Sequence, residues 1–169
     1  MSTYLRLRAV PPPALRNSPA WLERLFASDA ESGRGPAVPS REELLDECCL
    51  DQARLYAAAP PTGPGDRPQA QVVLGGRPVF RTDRHKPPLL VLTAAQARRV
   101  AGFLERADFE ALWEAARTGL LPRYGGATAE PETSRAFAAA HQELRAFYAH
   151  TADCGDAVVK WRSEKCAHS

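Results

Sequence analysis

Lysine is nearly missing from this chain: it occurs only as Lys86, Lys160 and Lys165, and arginine supplies the rest of the 22 basic residues. With 20 acidic residues the formal net charge is +2, so no global field gathers nucleic acid or anionic membrane at the surface. Long apolar runs are missing too, and no stretch approaches the roughly 20 apolar residues a membrane-spanning helix needs. Met1-Ser2-Thr3-Tyr4-Leu5-Arg6 leads to a triple proline ending at Pro13 without the apolar centre of a signal peptide. A cytoplasmic protein with no membrane contact is the expectation, and a nucleic-acid partner is disfavoured.

The signatures of the common catalytic classes are absent as well. There is no GxSxG elbow, HExxH, Walker loop, CxxC pair or Rossmann glycine fingerprint. A site assembled from distant residues remains open. Four cysteines are present, Cys48, Cys49, Cys154 and Cys166, but a chain of 169 residues can bury a core without disulfide staples, and thiols are expected. Cys48 and Cys49 diverge on a helix and cannot share one metal. Cys154 with Cys166-Ala167-His168 matches no established zinc spacing. No metal and no cofactor is expected.

What is present is an ordinary globular composition, 44% hydrophobic and 25% charged, with 15 prolines. Its length fits one domain. Tyr4 to Val10 alternates and predicts a strand, which Pro11-Pro12-Pro13 ends. Ser18 followed by Pro19 predicts the start of a short helix carrying Trp21, Leu22, Leu25 and Phe26. Ser28 to Pro39 reads as a loop, and Ser40-Arg41-Glu42-Glu43 has the capping-box pattern of a second helix running to about Ala59. Gln71 to Leu74, Gly75-Gly76 and Pro78 to Phe80 predict a hairpin.

Leu89 to Leu92 is a short apolar run. Thr93-Ala94-Ala95-Gln96 caps a helix with Ala97, Val100, Ala101 and Leu104 at helical spacing, and Phe109, Leu112, Trp113 and Ala116 mark the next. Pro131 suits the first turn of a long last helix, whose stripe is Phe137, Ala140, His141, Leu144, Phe147, Tyr148 and Thr151. Gly155 stops it, and Ala157 to Trp161 reads as a buried strand. The fold class is α+β: a single compact domain over residues 1–161, with a small mixed sheet covered on one face by several helices, and a frayed tail over 162–169.

Three groups of residues could carry function. His141, Tyr148 and Asp156 are the candidates for a dispersed catalytic site, because a histidine with polar neighbours can serve as an acid or base. On an apolar stripe, however, a histidine more often belongs to the core. Arg77, Arg81, Arg84 and Lys86 surround Asp83 and give one loop a positive surplus able to receive an acidic partner or a phosphate. Glu42, Glu43, Asp46, Glu47 and Asp51 form an acidic counterpart, most simply a solvated helix face.

Several segments together resemble the YfbM-like family, domain of unknown function 1877. They are Tyr4-Leu5-Arg6, Leu50-Asp51-Gln52-Ala53, Gly75-Gly76-Arg77-Pro78-Val79, Leu92 to Ala97, Leu121-Pro122 and, most specifically, Leu144 to Trp161. The resemblance implies a compact bacterial cytoplasmic α/β domain and transfers architecture without a mechanism. Where the family pattern has Lys and Trp after the aspartate, this chain has Gln52 and Arg54, so a pocket built on that tryptophan does not carry over. The expectation is a non-catalytic protein-binding or regulatory domain with an unidentified protein partner and no assigned oligomeric state. The alternatives are a small enzyme with a dispersed site and an anion or nucleic-acid binder acting through Arg77 to Lys86.

Overall fold

The computed structural model describes residues 2–31, 42–45, 49–59 and 67–165. Its strands are β1 (Ser2–Val10), β2 (Glu42–Leu45), β3 (Arg77–Val79), β4 (Leu89–Leu92) and β5 (Ala157–Lys165). They form one five-stranded sheet in the order β2-β1-β5-β4-β3. Its helices are α1 (Pro19–Glu31), α2 (Cys49–Ala57), α3 (Pro68–Gln71), α4 (Ala94–Arg106), α5 (Phe109–Leu120) and α6 (Glu130–Asp153). The chain is a single α+β domain, as its sequence predicts. Every ladder is antiparallel, so the mixture is one of helix and strand layers and not of strand directions.

The two ends of the chain meet at the middle of the sheet, where β1 pairs with β5 from Ser2↔Lys165 to Val10↔Ala157. Alternation then sorts the side chains. Leu5, Leu7, Ala9, Leu92 and Val158 join the core under α2, α4, α5 and α6, while Val10, Leu89, Val91, Ala157 and Val159 pack with Leu22 and Phe26 of α1. Helices therefore cover both faces, not the one face predicted. Arg6 and Arg8 of β1 pin α1 in place by donating to the Phe26 and Leu25 carbonyls. The tail expected to fray from Arg162 is instead strand as far as Lys165, because β1 offers a partner to each residue of β5.

Local signals hold where they are strong. Thr93 and Gln96 close a reciprocal capping box on α4. The α6 stripe is buried at Phe137, His141, Leu144, Phe147, Tyr148 and Thr151, and Gly155 ends the run at φ +68°. Two expectations fail where long-range contacts decide. Glu42–Leu45 is strand and not the first turn of the second helix, since it pairs with β1 from Arg8↔Glu42 to Leu5↔Leu45, and the helix begins only at Cys49. The predicted partner of the return strand is also different: β3 pairs with β4, and Gln71 to Leu74 is the end of α3 and a turn that buries Val72 and Val73 in the core. A Cβ at Gly75 would collide with the Ala70 carbonyl, and at Gly76, φ +139°, it would lie 2.9 Å from the Val91 oxygen. The glycine pair thus permits a close passage between α3 and β4. Helix α1 reaches Glu31, into the stretch predicted as loop; the rest of that stretch, Asp46, Glu47, Cys48, Cys166 and His168 lie outside the described residues. No described helix is long and apolar enough to cross a membrane.

Candidate functional site

His141 is 1% exposed and sits between α6 and α2. Its Nδ1 is 2.9 Å from the Tyr56 hydroxyl, and Gln52 Nε2 lies 3.2 Å from that hydroxyl and 3.4 Å from the Phe137 carbonyl. The Tyr56 hydroxyl thus accepts from the Gln52 amide and shares a second hydrogen bond with Nδ1, whose direction follows the tautomer of the ring. Burial and then the charge of Arg145 push the histidine pKa down, and burial pushes that of Tyr56 up. Phe109 packs at 5.7 Å from the ring. The arrangement holds a neutral imidazole in the core.

Tyr148, two helical turns further along α6, is fully buried and donates to the Val72 carbonyl at 2.7 Å. Burial raises its pKa, and proximity to Tyr56 adds to the shift. The same turn receives Lys160 from β5, whose Nζ donates to the Gln71 carbonyl and, at 2.8 Å, to that of Gly75. Lys160 is 0% exposed, and burial alone drives its pKa well below the lysine range. Beside it is a cavity of about 160 Å³ walled by Leu5, Leu74, Pro87, Pro88 and Leu90, with Lys160 and Arg162 as its charged members.

Lys160 was missed in the sequence because it falls inside a β-branched run. The signal was a lone lysine two residues from Val158, on the face that packs under the helices. Asp156 is buried at the α6–β5 junction, where its backbone N–H donates to the Thr151 carbonyl at 3.0 Å. No hydrogen bond joins His141, Tyr148 and Asp156: the first faces Tyr56, the second the turn after α3, and the third precedes β5.

The segment from β3 through the loop to β4 divides its cations. Arg77, Arg84 and Lys86 are exposed, and so is Phe80, at 69%. Arg81 is only 5% exposed. Its guanidinium stacks 3.7 Å from the Trp161 ring centroid and donates to the Arg162 carbonyl at 2.9 Å. Thr82 donates to Glu23 of α1 at 2.6 Å, and Asp83 accepts the His85 backbone N–H at 3.0 Å. The loop is therefore tied to α1 and β5 at adjacent residues and braced within itself.

The acidic run does not form one face: Glu42 and Glu43 are in β2, whereas Asp51 of α2 is 8% exposed. Asp51 accepts from Arg123 and Tyr124, each at 2.6 Å, and from Arg54 at 3.2 Å, tying α2 to the turn after α5. The exposed Cys154 lies 3.8 Å from His150 Nε2. Among the described residues no cluster of three or more His, Cys, Asp or Glu could hold a metal ion.

Fold and site together define a small α+β domain with an antiparallel sheet between unequal helical layers, several buried polar side chains in its core and one braced cationic loop. The chain belongs to the family described as Domain of unknown function (DUF1877), whose model matches residues 1–161. It is similar in structure to the protein of unknown function YfbM from Escherichia coli, at 16% identity and a TM-score of 0.57, over 95% of this chain and 98% of that one. That likeness shows a shared fold. Comparison with curated proteins finds no match.

Proposed function

We propose that the chain is a non-catalytic protein-binding domain of the bacterial cytoplasm that receives an acidic segment of a partner protein on the loop from Arg77 to Lys86. The carrying observation is Phe80, 69% exposed, on a loop held in shape by Arg81 and Thr82 and flanked by exposed Arg77 and Arg84. An aromatic anchor among cations on a preorganised backbone is the pattern of an interface hot spot, since little ordering entropy opposes binding. Charge then steers the encounter and selects acidic partners. The exposed thiol of Cys154 fits a reducing compartment.

The test is selection of displayed peptides on the immobilised full chain, repeated on Phe80→Ala and Arg84→Glu. Acidic peptides should be enriched on the wild type, more so at low salt, and lost on both variants. No acidic enrichment, or enrichment indifferent to both substitutions, would contradict the proposal. Tighter, steeply salt-dependent capture of a short nucleic acid by the same loop would replace a protein partner with an anionic polymer.

A further inference from the structure

We propose that the cavity at the foot of the β3–β4 loop binds a small apolar monocarboxylic acid, with its carboxylate against Lys160 and Arg162 and its hydrocarbon part against Leu74 and the Pro87-Pro88 pair.

Three observations carry this beyond the loop's protein partner. First, Lys160 is a fully buried cation precursor with no carboxylate bonded to it among the described residues. Buried charges are otherwise paired, because desolvation is not repaid without a counter-ion. Second, an ammonium has three donors, and the Gln71 and Gly75 carbonyls take two. A ligand carboxylate supplies both the third acceptor and the missing charge. Third, the cavity of about 160 Å³ is apolar except for Lys160 and Arg162. It is smaller than the roughly 300 Å³ at which drug-sized sites begin, so the fitting ligand is an acid of a few carbons.

The surroundings set the proton balance. Strand β1 presents Leu5 and Leu7, β4 presents Leu90, the buried residues of α4 are all apolar, and α6 offers Tyr148, whose hydroxyl reaches the same turn. Arg162 is the one charged group beside Lys160 in the lining. Without ligand, burial disfavours the charged form of the amine, which two carbonyls hold. Arrival of the anion favours the ammonium, so binding is accompanied by proton uptake.

Calorimetric titration of the full chain with butyrate and isovalerate, in PIPES and in Tris near pH 7.5 (about one unit above the usual histidine range), reads both affinity and proton uptake. Saturable binding of the acids, no binding of butyramide, and net proton uptake on acid binding are expected. Lys160→Met should abolish the uptake and lower affinity by about thirtyfold, the low end for removing one partner of a buried charge pair. Should that variant fail to fold, ¹⁵N resonances of the wild-type Lys160 amine answer the same question: addition of acid should move them to the ammonium position. No acid binding, equal binding of the amide, or an amine signal unmoved by saturating acid would overturn the proposal.

Discussion

Lys160 and Trp161 are neighbours in β5 and so face opposite sides of the sheet, and a cation is buried on each side by different chemistry. On the α1 side the Arg81 guanidinium lies flat on Trp161 and donates to a carbonyl; burial lowers its pKa, while Glu23 and Asp83 act in the opposite direction. On the other side Lys160 meets two carbonyls but, among the described residues, no ring and no carboxylate. A delocalised, weakly hydrated guanidinium tolerates such a place with its charge, whereas a compact ammonium gives up its proton. Burial of a cation against β5 thus means structure on one face and a ligand-ready amine on the other.

The comparison breaks most visibly at its aromatic side. Trp161→Ala removes the platform under Arg81 and the 5.2 Å contact with Phe26, and should cost about 3–5 kcal/mol in urea unfolding. A loss below about 1 kcal/mol would mean the stack is not what holds α1 and the loop together.

The lysine side shows itself through pH. A lysine with a folded pKa below its unfolded value near 10.4 binds more protons when unfolded, so stability is lost as pH falls toward the folded pKa and gained as pH rises toward about 10.4, by up to about 1.4 kcal/mol per pH unit. Lys160→Met should flatten this rise on the side below about pH 10.4, and parallel wild-type and variant profiles would contradict a lowered lysine pKa. His141, its pKa also lowered, follows the same sign in a lower window: stability should fall as pH drops below about 6.5, with a smaller slope that His141→Gln removes. The mildest effect belongs to the surface. Phe80→Ala and Arg84→Ala should change stability by no more than about 0.5 kcal/mol while removing peptide binding, which separates the loop's role from folding.

Elements set by their own residues were legible in the sequence: the alternation of β1, the capping box of α4, and the α6 stripe with its glycine stop. The family likeness rested on the same closing segment. Elements set by distant partners were not. Ser40 to Glu43 carries a helix-cap pattern, yet Glu42–Leu45 obeys the open edge of β1. Gln71 to Leu74 has strand-like composition, but the close passage at Gly75 and Gly76 makes it a turn. The cationic loop was visible as charge. That Arg81 is withdrawn from it depends on Trp161, a ring 80 positions away in sequence by the difference of their numbers. Lys160 was legible only as a strand residue, because its burial depends on a turn far upstream.

The scarcity of lysine gives the most direct test of the central contrast. With Lys86, Lys160 and Lys165 as the complete set, side-chain ¹⁵N NMR of the ligand-free protein can follow each amine through a pH titration, assigned by single substitutions. Lys160 should lose its proton well below the ordinary lysine value of about 10.4, as burial without a counter-ion among the described residues requires. Titration of Lys160 at that ordinary value would contradict that account.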